Sequence, residues 1–80
     1  MAIIEQFEFI HVRFYRKQKL KTTWEVCDGE NQRYIEIEGE GNFQKAIVKV
    51  MNTLGKEGWS LGSYPYNYRV FTMQRKIGGN

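Results

Sequence analysis

Two side chains in this sequence have types suited to nucleophilic chemistry: the only histidine, His11, and the only cysteine, Cys27. A thiol becomes an efficient nucleophile when a neighbouring base accepts its proton and a third group orients that base. Only adjacent strands could bring these two residues together, and no motif around either of them supplies the third group. We therefore predict no catalytic residue and expect the protein not to be an enzyme.

The same two residues limit other chemistry. A single cysteine excludes an internal disulfide, and one histidine with one cysteine is too few for a four-ligand zinc site. We predict no metal site and no cofactor.

A chain of 80 residues buries only roughly 60–65 % of its unfolded surface. A partner subunit is then the favoured means of burying more surface, so we expect a homo-oligomer.

The strongest pattern for a binding surface surrounds the only proline, Pro65. Tyr64, Tyr66 and Tyr68 alternate through this turn, and Arg69 follows them. Aromatic rings interleaved with arginine can stack on bases or lie in a protein interface. We predict a ligand- or partner-binding surface made of these tyrosines and Arg69, together with two arginines from the N-terminal third of the chain, Arg13 and Arg16.

Those two arginines belong to a basic cluster that also contains Lys17, Lys19 and Lys21. The net charge of +3 permits binding of phosphates without requiring it. Arginines could meet phosphate groups while a tyrosine stacked on a base. A protein that sequesters a phosphorylated small molecule or nucleotide, or a weak nucleic-acid binder, is therefore the alternative to an assembly module.

The pattern of apolar residues predicts an α+β fold in the order β-β-β-α-β-β. Strands are expected at 6–16, 22–27, 32–38, 59–64 and 68–75, with a helix beginning after Asn42 and running to Leu54. The expected architecture is an antiparallel sheet of four to five strands with one α-helix packed across it. In the first strand, Phe7 and Phe9 alternate out of phase with Ile10 and the apolar residues beyond it. A bulge, or a strand covered on both faces, would account for that change.

The turn residues also predict strand registers. A four-residue loop at 28–31 places Trp24 opposite Ile35, whereas a two-residue loop would place it opposite Arg33, and we favour the first. A three-residue loop at 65–67 places Leu61 opposite Phe71.

The stretch LGKEGWSL at 54–61 gives the chain its resemblance to a known family. We expect Gly55 to end the helix in a left-handed conformation and Trp59 to fold over the helix end. With the basic closing strand at 68–76, these residues resemble the small bacterial and phage proteins of domain-of-unknown-function family 4177, whose helix ends in LNxLGxEGWELV. The resemblance covers 43–76, with Ser60 in place of the usual acidic residue and a longer leading portion. It implies the fold and self-association and transfers no catalytic residue.

The chain is expected to form a single domain over 1–77, followed by a flexible tail at 78–80. No stretch approaches the roughly 20 apolar residues of a membrane span, so no membrane partner is expected. A free cysteine is typical of a reducing compartment, which predicts a cytoplasmic protein. We expect a non-enzymatic binding or assembly module that acts as a homo-oligomer through sheet edges and a tyrosine-rich surface, with another protein as a further possible partner.

Overall fold

The computed structural model describes residues 6–39, 42–63 and 69–77. It confirms the predicted α+β fold and the element order. The elements are β1 (Gln6–Gln18), β2 (Lys21–Cys27), β3 (Gln32–Glu38), α1 (Phe43–Gly55), β4 (Ser60–Ser63) and β5 (Val70–Ile77). No helix in the described part of the chain is both long enough and apolar enough to cross a membrane.

All five strands form one antiparallel sheet in the order β3-β2-β1-β5-β4. The longest strand, β1, is therefore the central strand, and it pairs with β5 without interruption from Gln6 to Arg13. Strands β3 and β4 are the edges. Every residue of β1 in this paired stretch thus has a fixed orientation, because successive side chains point to opposite faces of a sheet.

The hairpin between β2 and β3 has the four-residue loop predicted from the sequence. Trp24 lies opposite Ile35, and Cys27 lies opposite Gln32. Asp28 Oδ1 accepts the backbone N–H groups of Glu30 (2.9 Å) and Asn31 (2.7 Å), which holds the loop closed. The predicted register is therefore confirmed. It could be predicted because the turn chemistry and the apolar alternation both favour the same pairing.

The helix α1 begins at the predicted cap. Asn42 Oδ1 accepts the N–H groups of Gln44 (2.8 Å) and Lys45 (3.2 Å). The helix ends at Gly55 as predicted, but the predicted conformation of that residue is wrong. Gly55 is the last helical residue, and Gly58 adopts the left-handed conformation, with φ of 96°. The helix end continues through a further turn, in which the Leu54 carbonyl accepts the N–H groups of Glu57 and Trp59.

The core lies between the helix and one face of the sheet. One stripe of α1 packs on the inward side chains of the three central strands and of β3. Trp24 is fully buried, and its Nε1 donates to Thr22 Oγ1 at 2.9 Å, so the indole has no unpaired donor. The buried apolar residues are Ile10, Val12, Trp24, Val26, Ile37, Ala46, Ile47, Val50, Leu54, Phe71 and Met73.

The register predicted between the last two strands is wrong by two residues. Leu61 pairs with Met73 rather than Phe71, and the pairing becomes irregular before Ser63. A Cβ at Gly62 would lie 3.0 Å from Thr72 Oγ1 and 3.3 Å from the Thr72 carbonyl oxygen, so a side chain there would require Thr72 to shift by a few tenths of an ångström. The predicted register assumed regular pairing through β4, and the irregularity between Leu61 and Ser63 shifts it. A shift of two keeps the same side chains on the same face.

Candidate functional site: the open face of the sheet

One face of the sheet carries the helix, and no described element covers the other, which we call the open face. The outward side chains of β1 include Phe7 and Phe9, which are 41 % and 58 % exposed. No bulge separates Phe9 from Ile10, because β1 pairs regularly with β5 through both. The change of phase in the sequence therefore marks two aromatic residues placed on the open face, and the bulge that exists lies further along, at Tyr15.

The neighbouring strands add to this face by their register with β1. Cys27 lies beside His11, Glu25 beside Arg13, and Tyr34 beside Glu25. On the other side of β1, Val70 lies beside Arg13 and is 43 % exposed. The main members of the open face are Phe7, Phe9, His11, Arg13, Tyr15, Glu25, Cys27, Tyr34 and Val70.

An ion pair lies at the centre of the open face. Arg13 Nε donates to Glu25 Oε1 at 2.6 Å, and Arg13 Nη2 donates to Glu25 Oε2 at 3.3 Å. The Glu25 side chain is only 7 % exposed, whereas that of Arg13 is 49 % exposed. Tyr34 Oη also donates to Glu25 Oε2, at 3.4 Å. The hydrogen bond from Arg13 lowers the pKa of Glu25 and holds the carboxylate ionised, since it favours the charged form.

Two tyrosine rings explain why a charged residue is buried on an uncovered face. Tyr15 and Tyr34 extend from β1 and β3, the two strands that flank β2, and their ring centroids are 5.0 Å apart. Strands on either side of a third lie roughly 9–10 Å apart, so these rings reach toward each other across β2. They cover Thr23 and Glu25, which are both buried. The open face thus carries a pair of tyrosine rings, Tyr15 and Tyr34, above its buried carboxylate.

His11 and Cys27 are brought together, as a nucleophilic pair would require. They are directly opposite each other on β1 and β2, and His11 is exposed. Neither side chain has a hydrogen bond to another described residue. The third group that would orient the imidazole is therefore missing from the part of the chain that the structure describes, and the pair has the geometry of two surface neighbours.

The predicted binding residues are divided between the two sides of the sheet. Arg13 and Arg16 lie on the side of the open face, and the Arg16 guanidinium lies 5.9 Å from the Tyr15 ring centroid. Arg69 lies on the helix side, with its guanidinium 5.1 Å from the ring centroid of Phe43. The structure therefore brings Arg13 and Arg16 to one surface and Arg69 to another. The remaining predicted residues, Tyr64, Tyr66 and Tyr68, lie outside the described residues.

A second concave surface lies on the helix side, next to the end of α1. It is a cavity of about 230 Å³ with a floor formed by Ile10 and Val26. Arg33 donates to both carboxylate oxygens of Glu57.

The guanidinium of Arg75 completes this second surface. It lies 4.2 Å from the Trp59 ring centroid, is paired with Glu8, and donates to the Glu57 carbonyl at 2.9 Å. Both guanidiniums are thus already bound to groups of this chain. Their contacts fasten the turn after the helix to β3 and β5, which is a structural role.

Six residues of the open face were not predicted as site residues: Phe7, Phe9, Tyr15, Glu25, Tyr34 and Val70. The sequence held a signal for some of them. The predicted hairpin register already placed Tyr34 opposite Glu25. The out-of-phase pair Phe7 and Phe9 indicated a second apolar face. Tyr15 could not be placed, because a bulge changes the direction of its side chain and no glycine or proline marks its position.

Comparison with known proteins adds no further assignment: no protein family, curated protein or solved structure matches this chain. The resemblance to domain-of-unknown-function family 4177 stays a prediction. Among the described residues no group of three histidine, cysteine, aspartate or glutamate side chains has the geometry to hold a metal ion.

Proposed function

We propose that this protein is a non-enzymatic assembly module, and that a second copy of the same chain covers its open face. The observation that supports this most directly is the exposure of the neighbouring rings of Phe7 and Phe9, with Val70 further along, on a sheet face that carries no helix. Sheet faces in water normally carry polar side chains, and contiguous exposed apolar residues mark interaction surfaces.

The area of the open face is sufficient for a stable contact. The 39 residues of the five strands cover roughly 600 Å² at about 4.8 Å per strand and 3.3 Å per residue. Two such faces would bury about 1,200 Å², the lower end of the range for specific protein interfaces. Two sheets packed face to face at a separation of about 10 Å are a common arrangement.

The charges on the open face favour burial by another protein over binding of a phosphate. Arg13 already forms two hydrogen bonds to Glu25, so its charge is neutralised before any partner arrives. A partner that covers this pair leaves no unpaired charge behind, which is the condition for burying ions at tolerable cost. A phosphate would have to compete with Glu25 for the same guanidinium.

The sheet edges are less suited to association than the open face. Strand β4 has only four residues and an irregular pairing. Strand β3 is longer but carries Arg33, Glu36 and Glu38. Short, irregular or charged edge strands are the usual means by which proteins prevent edge-to-edge pairing. We therefore place the interface on the open face.

Light scattering after gel filtration tests the proposal, with mass spectrometry of any small molecule released from the purified chain as a second measurement. The expected result is a mass of about two or more times 9.5 kDa and no stoichiometric ligand. A monomeric mass at about 100 μM, well above the Kd typical of stable complexes, would contradict assembly. A released nucleotide or other phosphorylated molecule would favour the alternative of a small-molecule binder.

A further inference from the structure

The arrangement of residues on β1 determines how two copies would meet. We infer that the central strands of two copies pack antiparallel across a twofold axis at the level of His11, so that Phe9 of each copy contacts Arg13 of the other. This inference rests on the proposed function, and it adds the orientation of the partner and the residues that recognise it. It depends on three features of the open face: its central strand, its alternation and its fixed arginine.

For two sheets packed with their strands aligned, symmetry leaves two orientations. Most homodimers have a twofold axis, and an axis that relates two facing sheets must lie in the plane between them. If it runs along the strands, each residue of β1 faces its own counterpart, and two Arg13 guanidiniums come together. If it runs across the strands, β1 faces a reversed β1. Two Arg13 guanidiniums that face each other gain no favourable contact, because the Glu25 partner of each lies on its own chain. A reversed β1 offers each guanidinium a Phe9 ring instead, so the second orientation is preferred.

The position of the axis follows from the extent of the outward run. The side chains of β1 on the open face extend from Phe7 to the bulged Tyr15, and His11 is the midpoint of that run. Because β1 is the third of five strands, an axis at His11 also gives the greatest overlap of the two sheets. Any other position would leave one end of the run uncovered.

This axis pairs complementary groups throughout the run. Phe9 meets Arg13 of the second copy, Phe7 meets its Tyr15, and His11 lies opposite itself. The Arg13 guanidinium is half-exposed and held in one plane by its two bonds to Glu25. It therefore presents a fixed planar cation to an aromatic ring, the geometry of a cation–π contact. Little side-chain freedom is lost on binding, because Glu25 has already fixed the rotamer.

Nuclear Overhauser measurements on the native chain test the pairing. A sample that mixes isotope-labelled and unlabelled chains reports only contacts between copies. The expected result is contacts from the Phe9 ring protons to the Arg13 Cδ protons. Contacts between the two Phe9 rings would overturn the inference in favour of the parallel orientation. A dimer in which neither residue contacts the other copy would overturn it as well. A monomeric mass in the same sample would contradict the proposed function itself, so the two failures are distinguishable.

A pair of charge substitutions provides an independent test. Phe9→Glu places a carboxylate against Arg13 of the second copy, whereas Phe9→Lys places a second cation there. The Kd for dimer dissociation should be about 10- to 100-fold larger for Phe9→Lys at low salt, with the difference diminishing near 1 M salt. Equal effects of the two substitutions would overturn the pairing, because Phe9 would then face no charge. The matched controls Val48→Glu and Val48→Lys, on the exposed side of the helix, should leave the Kd unchanged.

Discussion

Replacing Phe9 by serine should separate association from folding. Phe9 is 58 % exposed in the single chain, so roughly 100 Å² of its apolar surface remains to be covered by a partner. At about 25 cal/mol per Å² that area contributes on the order of 2.5 kcal/mol for each copy. A symmetric dimer loses this twice, about 5 kcal/mol, so its Kd should rise by roughly 10³- to 10⁴-fold.

Sedimentation velocity over a range of concentrations is the assay, with urea unfolding of the same samples. Since Phe9 is exposed and lies outside the buried core, the free energy of unfolding of the monomer should change by no more than about 0.5 kcal/mol. Val48→Ser is the matched control, because Val48 is 51 % exposed on the helix, away from the open face. If Phe9→Ser associates as the native chain does, or if Val48→Ser is the variant that dissociates, Phe9 does not lie in the interface between the two copies.

Four further substitutions test the ion pair, the contact of Trp59 with Arg75 after the helix (the clasp) and the backbone of the same turn. Because Arg13 lowers the pKa of Glu25 below its ordinary 4.5, the pair stabilises the fold above that pH and its contribution is lost as the pH falls through the lowered pKa. Urea titrations between pH 3 and pH 7, a range set by ordinary carboxyl pKa values, should show this loss of stability. The Glu25→Gln variant should show a flatter dependence of the free energy of unfolding on pH. If the variant shows the same pH dependence as the native chain, Glu25 is not its source. Trp59→Ala should lower the free energy of unfolding by about 2 kcal/mol, less than the 3–5 kcal/mol of a fully buried ring, because Trp59 is only partly buried. A loss of stability within error of zero in thermal unfolding would show that the clasp is dispensable. Gly58→Ala should lower the free energy of unfolding by about 1–2 kcal/mol, because φ at this position is 96°. Gly55 has helical backbone and open space around it, so Gly55→Ala should raise the free energy of unfolding by up to about 1 kcal/mol. Equal effects of the two substitutions in chemical denaturation would contradict the assigned conformations.

The parts of the fold that were predicted correctly are those where local chemistry and apolar periodicity agree. The 28–31 loop and the alternation around Trp24 select the same register for β2 and β3. Asn42 and the apolar stripe of α1 likewise place the start of the helix. Each assignment has two independent signals in the sequence, and both are confirmed.

The errors occur where the backbone departs from regular geometry. A bulge at Tyr15 and an irregular pairing at Gly62 change strand register without a turn residue nearby. Two glycines three positions apart, Gly55 and Gly58, could each have taken the left-handed conformation at the helix end, and only the backbone geometry assigns it to the second. These features depend on contacts between distant segments, which a single sequence does not reveal.

The candidate site was only partly visible for a related reason. Arg13 was recognised as a cation, but its partner Glu25 is identified only once β1 lies beside β2. The strand order puts β1 in the centre of the sheet and thereby turns an out-of-phase aromatic pair into the middle of an exposed face. Sequence patterns indicate on which face of a strand a side chain lies, but they do not determine which strands lie beside it.

The rate at which Cys27 reacts with a maleimide tests the central claim most directly, because this only cysteine lies on the open face beside His11. If a second copy covers that face, the rate per chain should fall as the protein concentration is raised through the Kd of the dimer, in parallel with the mass measured by light scattering. Phe9→Ser should react at the fast, monomeric rate at every concentration. A rate that stays constant while the mass doubles would show that the chains associate through another surface, and would contradict the account.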